Sequence, residues 1–457
     1  MIPIDRSRLP VPGPDPAFRF PEVRRCSLSN GLRVWTAEHR DVPILSFILL
    51  LASGSAEDPE GKAGLASLTA DMLDEGSGSR SALDIEDALS RLGAQLDTEI
   101  GSDASVVSLL TLSRFRDPAL SLLADIVARP RLSEEDFERV RDLRLARLKQ
   151  LRDVAPVVAD RLLARLLYPA HPYGHLPLGV AATLRDSTPA DVREFHARTW
   201  RPSRMTFVAV GDATHDELLE AAERALGWWK PEELMTDGNG RPALEPPPAP
   251  AARLAILDRP GAAQSELRIG QVAVPRRTPD YHALLVLNAI LGGQFVSRLN
   301  MNLREDKGYT YGARSGFDFR RAHGPFVVQA AVQTGATAES VHEVLAEVSA
   351  IRSTRPATFQ EIELARSSLT RGYPRNFETA GQVARGLAQL AIYDLPDDTF
   401  ERFVPSVNGV GIEAVTAAAA RIDPDRMTIA VVGDRERVEP ALSSLGLGDL
   451  QIVGHDE

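Results

Sequence analysis

The chain has 457 residues, of which 44% are hydrophobic and 25% charged, as in ordinary globular proteins, and this length favours two or more domains. The 52 basic and 63 acidic residues give a formal charge of −11, which argues against nucleic-acid binding. Cys26 is the only cysteine, so neither an internal disulfide nor a cysteine zinc site can form.

The sequence gives no sign of a membrane span. No apolar run approaches the roughly 20 residues of a membrane helix, and the longest one, residues 44–52, is interrupted by Ser46. The N-terminal sequence MIPIDRSRLPVPGPDPAFRFP is rich in proline and lacks the apolar core of a signal peptide. We therefore expect a cytoplasmic protein, or a periplasmic one if a leader has been removed.

In chain order, residues 1–22 are predicted to form an extended arm, and residues 23–229 an N-terminal α+β half. Alternating and continuous apolar patterns predict three strands, at residues 32–36, 44–50 and 205–210, and a fourth at residues 103–112. Helical periodicity predicts helices at residues 63–75, 82–92 (with Ser81 as N-cap), 118–128, 133–152, 159–167, 189–199 and 216–226.

Residues 230–252 are predicted to be a proline-rich linker, after which the pattern starts again. The segment RPSRMTFVAVGD at residues 201–212 recurs as DPDRMTIAVVGD at residues 423–434, with seven of the twelve positions identical. Because similar offsets relate other segments of the two parts, we infer a duplication. The fold class predicted is α+β: two homologous halves, the second at residues 253–457, each a largely antiparallel sheet with helices on one face, which together form a clamshell.

The second half contains one segment whose side chains could take part in catalysis. Residues 296–305 are predicted to be helical, the turn Asp306-Lys307-Gly308 ends the helix, and residues 309–317 form a strand. This arrangement can bring the Arg304 guanidinium and the Tyr311 phenol to one point, and two such donors suit a carbonyl oxygen that gains negative charge. The alternative is an arginine that caps a helix end and a tyrosine in a core strand.

These features resemble the pitrilysin (insulinase-like) metallopeptidase family, especially its short bacterial chains and the subunits of mitochondrial processing peptidase. The resemblance covers roughly residues 25–445. It depends on the duplicated halves and on three segments: GLASLTADMLDEGS at 64–77, YPAHPYGHLPLG at 168–179 and SRLNMNLREDKGYTYG at 297–312. In this family an arginine and, seven residues later, a tyrosine reach the active site from the C-terminal half, which implies that role for Arg304 and Tyr311.

The other half of the family's active site is missing. Catalytic members carry H-x-x-E-H, in which two histidines bind zinc and the glutamate activates water. Here the corresponding residues are Ser67, Ala70 and Asp71. The family's third ligand, a glutamate about 77 residues further on, falls in the sequence Arg147-Leu148-Lys149. No metal is therefore expected in this chain.

The resemblance then implies the zinc-less subunit of a heterodimeric metalloendopeptidase. A homologous partner with H-x-x-E-H would supply zinc, and Arg304 and Tyr311 would bind the scissile carbonyl of unfolded peptides. Two alternatives remain open: an inert structural subunit, like the family's core proteins in the respiratory bc complex, and a peptide-binding or chaperone-like module. A homodimeric peptidase is disfavoured because no copy would supply zinc. The negative charge favours basic substrates.

Overall fold

The computed structural model describes residue 13 and residues 18–230 and 244–454. Most of the predicted arm (1–22) and much of the predicted linker (230–252) lie outside the described residues, and the domain boundaries stay predictions. The described chain forms two six-stranded sheets, each with its own helices, so the prediction of two homologous α+β halves is confirmed.

The sheet of the N-terminal half has the order β1-β2-β8-β3-β7-β6, and only the β2–β8 pair is parallel. Its strands, with the small hairpin β4–β5, are β1 (Val23–Ser27), β2 (Arg33–Glu38), β3 (Ile44–Leu51), β4 (Gly76–Ser77), β5 (Arg80–Ser81), β6 (Gln95–Ile100), β7 (Ser105–Leu112) and β8 (Met205–Gly211). Its helices are α1 (Leu65–Asp71), α2 (Ala82–Leu92), α3 (Arg116–Ala128), α4 (Glu134–Leu151), α5 (Ala155–Leu167), α6 (Ala181–Arg185), α7 (Pro189–Thr199) and α8 (His215–Leu226).

The C-terminal sheet has the corresponding strand order β11-β12-β10-β13-β9-β14, but two of its pairs, β13–β9 and β9–β14, are parallel. Its strands are β9 (Leu254–Asp258), β10 (Gln264–Val272), β11 (Thr310–Phe317), β12 (Pro325–Gln333), β13 (Thr428–Gly433) and β14 (Leu450–Val453). Its helices are α9 (Tyr281–Leu291), α10 (Arg298–Asn300), which continues as a π-helical segment (Met301–Asp306), α11 (Thr337–Arg352), α12 (Phe359–Thr370), α13 (Ala380–Tyr393), α14 (Thr399–Asn408), α15 (Ile412–Ala419) and α16 (Arg435–Ser443).

Local sequence explains where many helices begin. Within the described residues, five helices start with a capping box, in which a Ser or Thr hydroxyl and the side chain three residues later exchange hydrogen bonds with the backbone. The pairs are Ser81/Asp84, Thr188/Asp191, Thr214/Glu217, Thr358/Glu361 and Thr379/Gln382. The predicted helices at residues 82–92 and 189–199 have these bounds in the structure.

The two halves exchange helices. Helix α5 of the N-terminal half packs on β10 and β13 of the C-terminal sheet, where Leu163 joins Ala430 and Val432 in one buried cluster. Helix α13 of the C-terminal half packs on β3 and β8, where Leu387 joins Ile48 and neighbouring side chains. Each sheet is therefore covered on one face by its own helices and on the other by a helix of the other half, which explains the continuous apolar sequence of β3.

Hydrogen bonds also join the halves. The Tyr173 hydroxyl donates to Asp103 Oδ1 at 2.5 Å and accepts from the Ala322 backbone N–H at 3.2 Å. The other Asp103 oxygen accepts from the Arg321 N–H at 2.7 Å, and the Tyr168 hydroxyl donates to the His323 carbonyl. The loop at 168–179 thus has a structural role at the contact between the halves.

Two strands of the six-stranded N-terminal sheet were not predicted from the sequence. Strand β1 pairs with β2, and strand β6 forms the outer edge of the sheet beside β7. Helix α1 is also shorter than the predicted helix at 63–75, because it begins after Gly64 and ends at Asp71. Strand β6 lies beside α1.

In the described part of the chain, no single helix is long and apolar enough to cross a membrane. One pair of helical segments, Thr399–Asn408 and Ile412–Arg426, passes the same test of length and composition only when taken together, and it is bent by 104°.

The exchanged helices lead to a prediction about local stability. Leu387→Ala should destabilise the protein by about 2–5 kcal/mol, as expected for a buried leucine. It should also speed amide exchange in β3 and β8, because its fully buried side chain packs there rather than on its own sheet. Hydrogen exchange measured by mass spectrometry tests this.

Leu287→Ala is the matched control, since Leu287 is equally buried but packs in the core of its own half. It should speed exchange mainly in the C-terminal sheet. Equal effects of the two variants on β3 and β8 would contradict the reciprocal packing.

Candidate functional site

The N-terminal part of the candidate site is the start of α1. The Asp58 carboxylate accepts hydrogen bonds from the N–H groups of Gly64 and Ala66, at 2.7 and 2.6 Å, and its Oδ2 lies 2.9 Å from His175 Nε2. Gly64 has φ of 99°, and a Cβ there would lie 2.8 Å from Gly179 Cα. Glycine at this position therefore allows α1 to pack closely against the 168–179 loop.

Ser67 and Asp71 lie one turn apart on α1, and both contact Arg144 from α4. The two terminal nitrogens of Arg144 donate to the Ser67 hydroxyl at 3.0 Å each, and one of them also forms an ion pair with Asp71. A further hydrogen bond, of 3.4 Å, reaches the Leu178 carbonyl. Arg144 is only 5% exposed, so its charge depends on these partners rather than on water.

The residues at this position do not fit a zinc ion. Ser67 and Ala70 supply neither imidazole nor carboxylate, and Asp71 is already paired with a guanidinium that would repel a metal cation. Among the described residues, no group of three or more His, Cys, Asp or Glu side chains could hold a metal. The buried Arg144 supplies a positive charge between the two positions that are histidines in the H-x-x-E-H motif.

A cavity of about 470 Å³ lies between this cluster and β6. Its charged lining residues are Asp71, Asp74, Glu75, Asp97, Arg144 and Arg147. Within the described residues, strand β6 ends the sheet with β7 as its only strand neighbour, so its outer backbone groups are available to an added strand.

The C-terminal part of the site is the π-helical segment. Leu303 is fully buried and fixes the segment to the core, whereas Arg304 faces outwards. The Arg304 guanidinium lies 4.1 Å from the centroid of the Phe295 ring, which is itself 66% exposed, and 3.5 Å from Glu305. π-helical turns are frequent at functional sites because they change the direction of side chains.

The segment that carries Arg304 is held firmly from both ends. Arg298 is buried and donates to both Glu361 oxygens at 2.7 and 2.8 Å. Burial alone would raise the pKa of Glu361, but hydrogen bonds from Arg298 and Thr358 lower this pKa to about 2. At the other end, hydrogen bonds from Asn302 and then Lys307 lower the pKa of Glu343, although its burial opposes the shift.

Tyr311 lies in a β-bulge. The register between β11 and β12 shifts between Thr310 and Ala313, so Tyr311 and Gly312 have no partner residue in β12. The Thr310 hydroxyl donates to the Ala331 carbonyl at 2.6 Å and accepts from the Gly312 N–H at 3.1 Å, which stabilises the bulge. Tyr311 is 92% exposed as a result, so it is not a core residue of the strand.

The outer edge of β11 is covered, unlike that of β6. The Ala313 N–H donates to Asn300 Oδ1 at 2.9 Å, and the Ser315 N–H donates to the Gly292 carbonyl at 3.1 Å. The structure therefore carries Arg304 and Tyr311 on two elements that Asn300 joins directly. The contacts of Arg304 in the described chain are with Phe295 and Glu305 rather than with Tyr311.

Arg144 is the site residue that our sequence analysis missed. It occupies a helical stripe with Phe137, Val140 and Leu148, all of which are buried. An arginine within an apolar stripe at spacings of three and four is a signal for a buried, paired cation. The sequence analysis assigned the family's third ligand position to residues 147–149. The side chain that reaches α1 is that of Arg144, one helical turn earlier.

Comparisons with known proteins agree with this architecture. The chain matches the family model "Insulinase (Peptidase family M16)" over residues 33–174 and the model "Peptidase M16 inactive domain" over residues 186–369. It is 28% identical to an uncharacterised zinc protease of Mycobacterium leprae, over 91% of this chain and 93% of that protein. It is 27% identical to the mitochondrial-processing peptidase subunit beta of Mus musculus, over 63% of this chain and 58% of that protein.

Among solved structures, the chain is similar to a peptidase M16 inactive domain from Pseudomonas fluorescens. The TM-score is 0.84 with 28% identity, and the match covers 90% of this chain and 98% of that one. A protease from Helicobacter pylori, 19% identical, has the same fold with a TM-score of 0.83 over 90% of this chain and 99% of that one.

The Arg144 cluster should contribute measurably to stability. Arg144→Met keeps the length of the side chain but leaves Ser67 and Asp71 without their donor, so the free energy of unfolding should fall by about 1–3 kcal/mol. Urea unfolding at pH 7 measures this. Arg147→Met, at an exposed position on the same helix, is the matched control. Equal losses in the two variants would show that the guanidinium adds no net stability.

The Arg298–Glu361 pair predicts a dependence on pH. Because the folded protein lowers the pKa of Glu361 from 4.5 to about 2, the ionised group stabilises the fold above pH 4.5. This contribution is lost as pH falls from 4.5 towards 2. The stability difference between the wild type and Glu361→Gln should therefore be largest near pH 7 and should shrink below pH 4.5.

Denaturant unfolding from pH 7 to pH 3 tests this, with Glu305→Gln as the charge-matched control from the exposed side of the π-helical segment. A wild-type advantage over Glu361→Gln that stays constant across this range would contradict the assignment of the low pKa to Glu361.

Proposed function

The chain belongs to the insulinase (M16) family of peptidases, and from this premise we propose that it is the zinc-less subunit of a heterodimeric metalloendopeptidase. One observation supports the proposal: this chain lacks the residues of the family's metal motif but has the arginine and the tyrosine of the other part of the site. At the positions of the metal motif, Ser67 and Asp71 contact the buried Arg144, whereas Arg304 is half-buried and Tyr311 is exposed on elements that are held to the core.

The proposed active site is complete only when a partner subunit supplies the zinc ion and the catalytic glutamate. A homologous subunit with H-x-x-E-H would supply a zinc ion that polarises the scissile carbonyl, together with a glutamate that activates water. In this chain, the Arg304 guanidinium and the Tyr311 hydroxyl would donate hydrogen bonds to the carbonyl oxygen as it gains negative charge. Positioned donors of this kind are typically worth about 10²–10³ in kcat each.

The contacts around Arg304 support this role because they limit its movement. Buried Leu303 and Arg298 hold the helical part, and Asn300 joins it to the strand next to the Tyr311 bulge. Stacking on Phe295 further restricts the guanidinium. Donors that are held in place before the substrate binds need little reorganisation during the reaction.

Unfolded peptides are the proposed substrates. The open edge of β6 could hold an extended segment by backbone hydrogen bonds. The neighbouring cavity is lined by four carboxylates (Asp71, Asp74, Glu75 and Asp97) and two arginines (Arg144 and Arg147), and this excess of negative charge favours a basic segment there. The open edge equally suits the alternative of an inert peptide-binding subunit, but that alternative has no use for a half-buried Arg304 beside an exposed Tyr311.

The first test is to identify the partner. Native co-purification of the tagged chain, followed by mass spectrometry and zinc analysis, should recover a similar-sized chain with H-x-x-E-H in an approximately equal amount, together with one zinc per complex. A chain that purifies alone, or with a complex that contains neither zinc nor such a chain, would contradict the proposed heterodimer.

The second test uses that complex. Arg304→Ala and Tyr311→Phe should each lower kcat by about 10²–10³ while zinc content and complex mass stay constant. Arg91→Ala, an exposed arginine on α2 whose side chain is 81% exposed, is the control and should leave kcat unchanged. Full activity of both site variants in an intact complex would overturn the catalytic role and favour an inert subunit.

A further inference from the structure

A second cavity, of about 890 Å³, lies in the C-terminal half between the loop before α9 and helices α13 and α14. None of its lining residues belongs to the Arg304 segment or to the Arg144 cluster. Its charged lining residues are four arginines and one aspartate: Arg276, Arg277, Arg385, Arg402 and Asp398. We call it the arginine cavity.

The lining is strongly cationic in a chain whose formal charge is −11. Arg277 pairs with Asp394 at 3.0 Å, and Arg402 lies 3.5 Å from Asp398. For Arg276 and Arg385, no carboxylate in the described chain lies within ion-pair distance. Burial lowers the pKa of Arg276, which indicates a guanidinium partly removed from water, so an anion that entered the cavity would gain an uncompensated partner.

Aromatic rings form another part of the wall. The Tyr373 and Phe403 rings stack with their centroids 4.1 Å apart and their planes within 8°, and the Arg276 guanidinium lies 3.6 Å from the Tyr281 centroid. Phe377 and Phe400 also line the cavity. Positive charge and flat apolar surfaces therefore lie in the same concave space.

We propose that the arginine cavity binds a small anion that carries a planar ring, in the size class of a nucleoside phosphate. Its volume lies within the roughly 300–1,000 Å³ of small-molecule pockets. Guanidinium groups bind phosphate oxygens with two parallel hydrogen bonds, and aromatic rings stack on a planar base. The planar ring of such a ligand would contact the aromatic residues of the lining, and its phosphate would contact the arginines.

The test is calorimetric titration of the full-length chain with AMP and ADP, compared with adenosine, ribose 5-phosphate and inorganic phosphate. Binding of a nucleotide that exceeds that of each of the other three probes by at least ~10-fold supports the proposal, because each lacks either the ring or the anion. Absence of nucleotide binding at millimolar concentration overturns it. Equal binding of ribose 5-phosphate or inorganic phosphate overturns the role of the rings.

Variants then locate the site. Arg385→Gln, at an exposed position of α13, should weaken nucleotide binding about 10-fold through loss of a charged hydrogen bond. Asp398→Asn removes the only carboxylate of the lining and should strengthen binding about threefold. Asp398 precedes α14 and its side chain makes no capping hydrogen bond, so this gain-of-function variant should fold normally.

Asp397→Asn is the matched control, since it changes the same charge one residue away but outside the lining. Its carboxylate pairs with Arg25, and nucleotide affinity should stay unchanged. Equal gains from the Asp397 and Asp398 variants would indicate a general charge effect and would overturn the assignment to this cavity.

Discussion

The reciprocal packing of α5 and α13 is the constraint on which the rest of the structure depends. Each helix continues the chain of one half but covers the sheet of the other, as the clusters around Leu163 and Leu387 show. A sheet that loses its covering helix would expose a row of large apolar side chains to water. The halves are therefore coupled energetically, and the loop contacts of Asp103 and Tyr173 add directional hydrogen bonds to that apolar contact.

Within this frame, the duplicated halves have diverged at equivalent places. Strands β6 and β11 are the matching outer edges of the two sheets. The β6 edge is open and lies beside the Arg144 cluster, whereas the β11 edge is covered by Asn300 and Gly292 and carries the Tyr311 bulge. One half thus has an open strand edge beside the Arg144 cluster, and the other has a covered edge beside Arg304 and Tyr311.

Much of the fold followed from local sequence, because strong apolar periodicity and capping residues act over short distances. Helix α2, with Ser81 as its cap, is an example. Strand β6 was missed because only Leu96, Thr98 and Ile100 alternate and all are only half-buried. The packing of α5 and α13 on the sheet of the other half could not be predicted, because a local sequence pattern shows that a helix face is apolar but not which sheet it contacts. The spacing of Arg304 and Tyr311 suggested convergence, but the bulge that exposes Tyr311 arises from pairing with a distant strand.

The Arg144 cluster involves two helices, so this chain differs from an H-x-x-E-H site in α4 as well as in α1. The Arg144 guanidinium is buried and would be costly without acceptors, whereas the Asp71 side chain is 46% exposed and is also solvated by water. Arg144 therefore depends on Ser67 and Asp71, and its contribution to stability is coupled to theirs. Histidines introduced at Ser67 and Asp71 would still face the Arg144 guanidinium, which repels a cation where zinc would bind. A metal site at these positions would therefore require a substitution at Arg144 in α4 as well as histidines in α1.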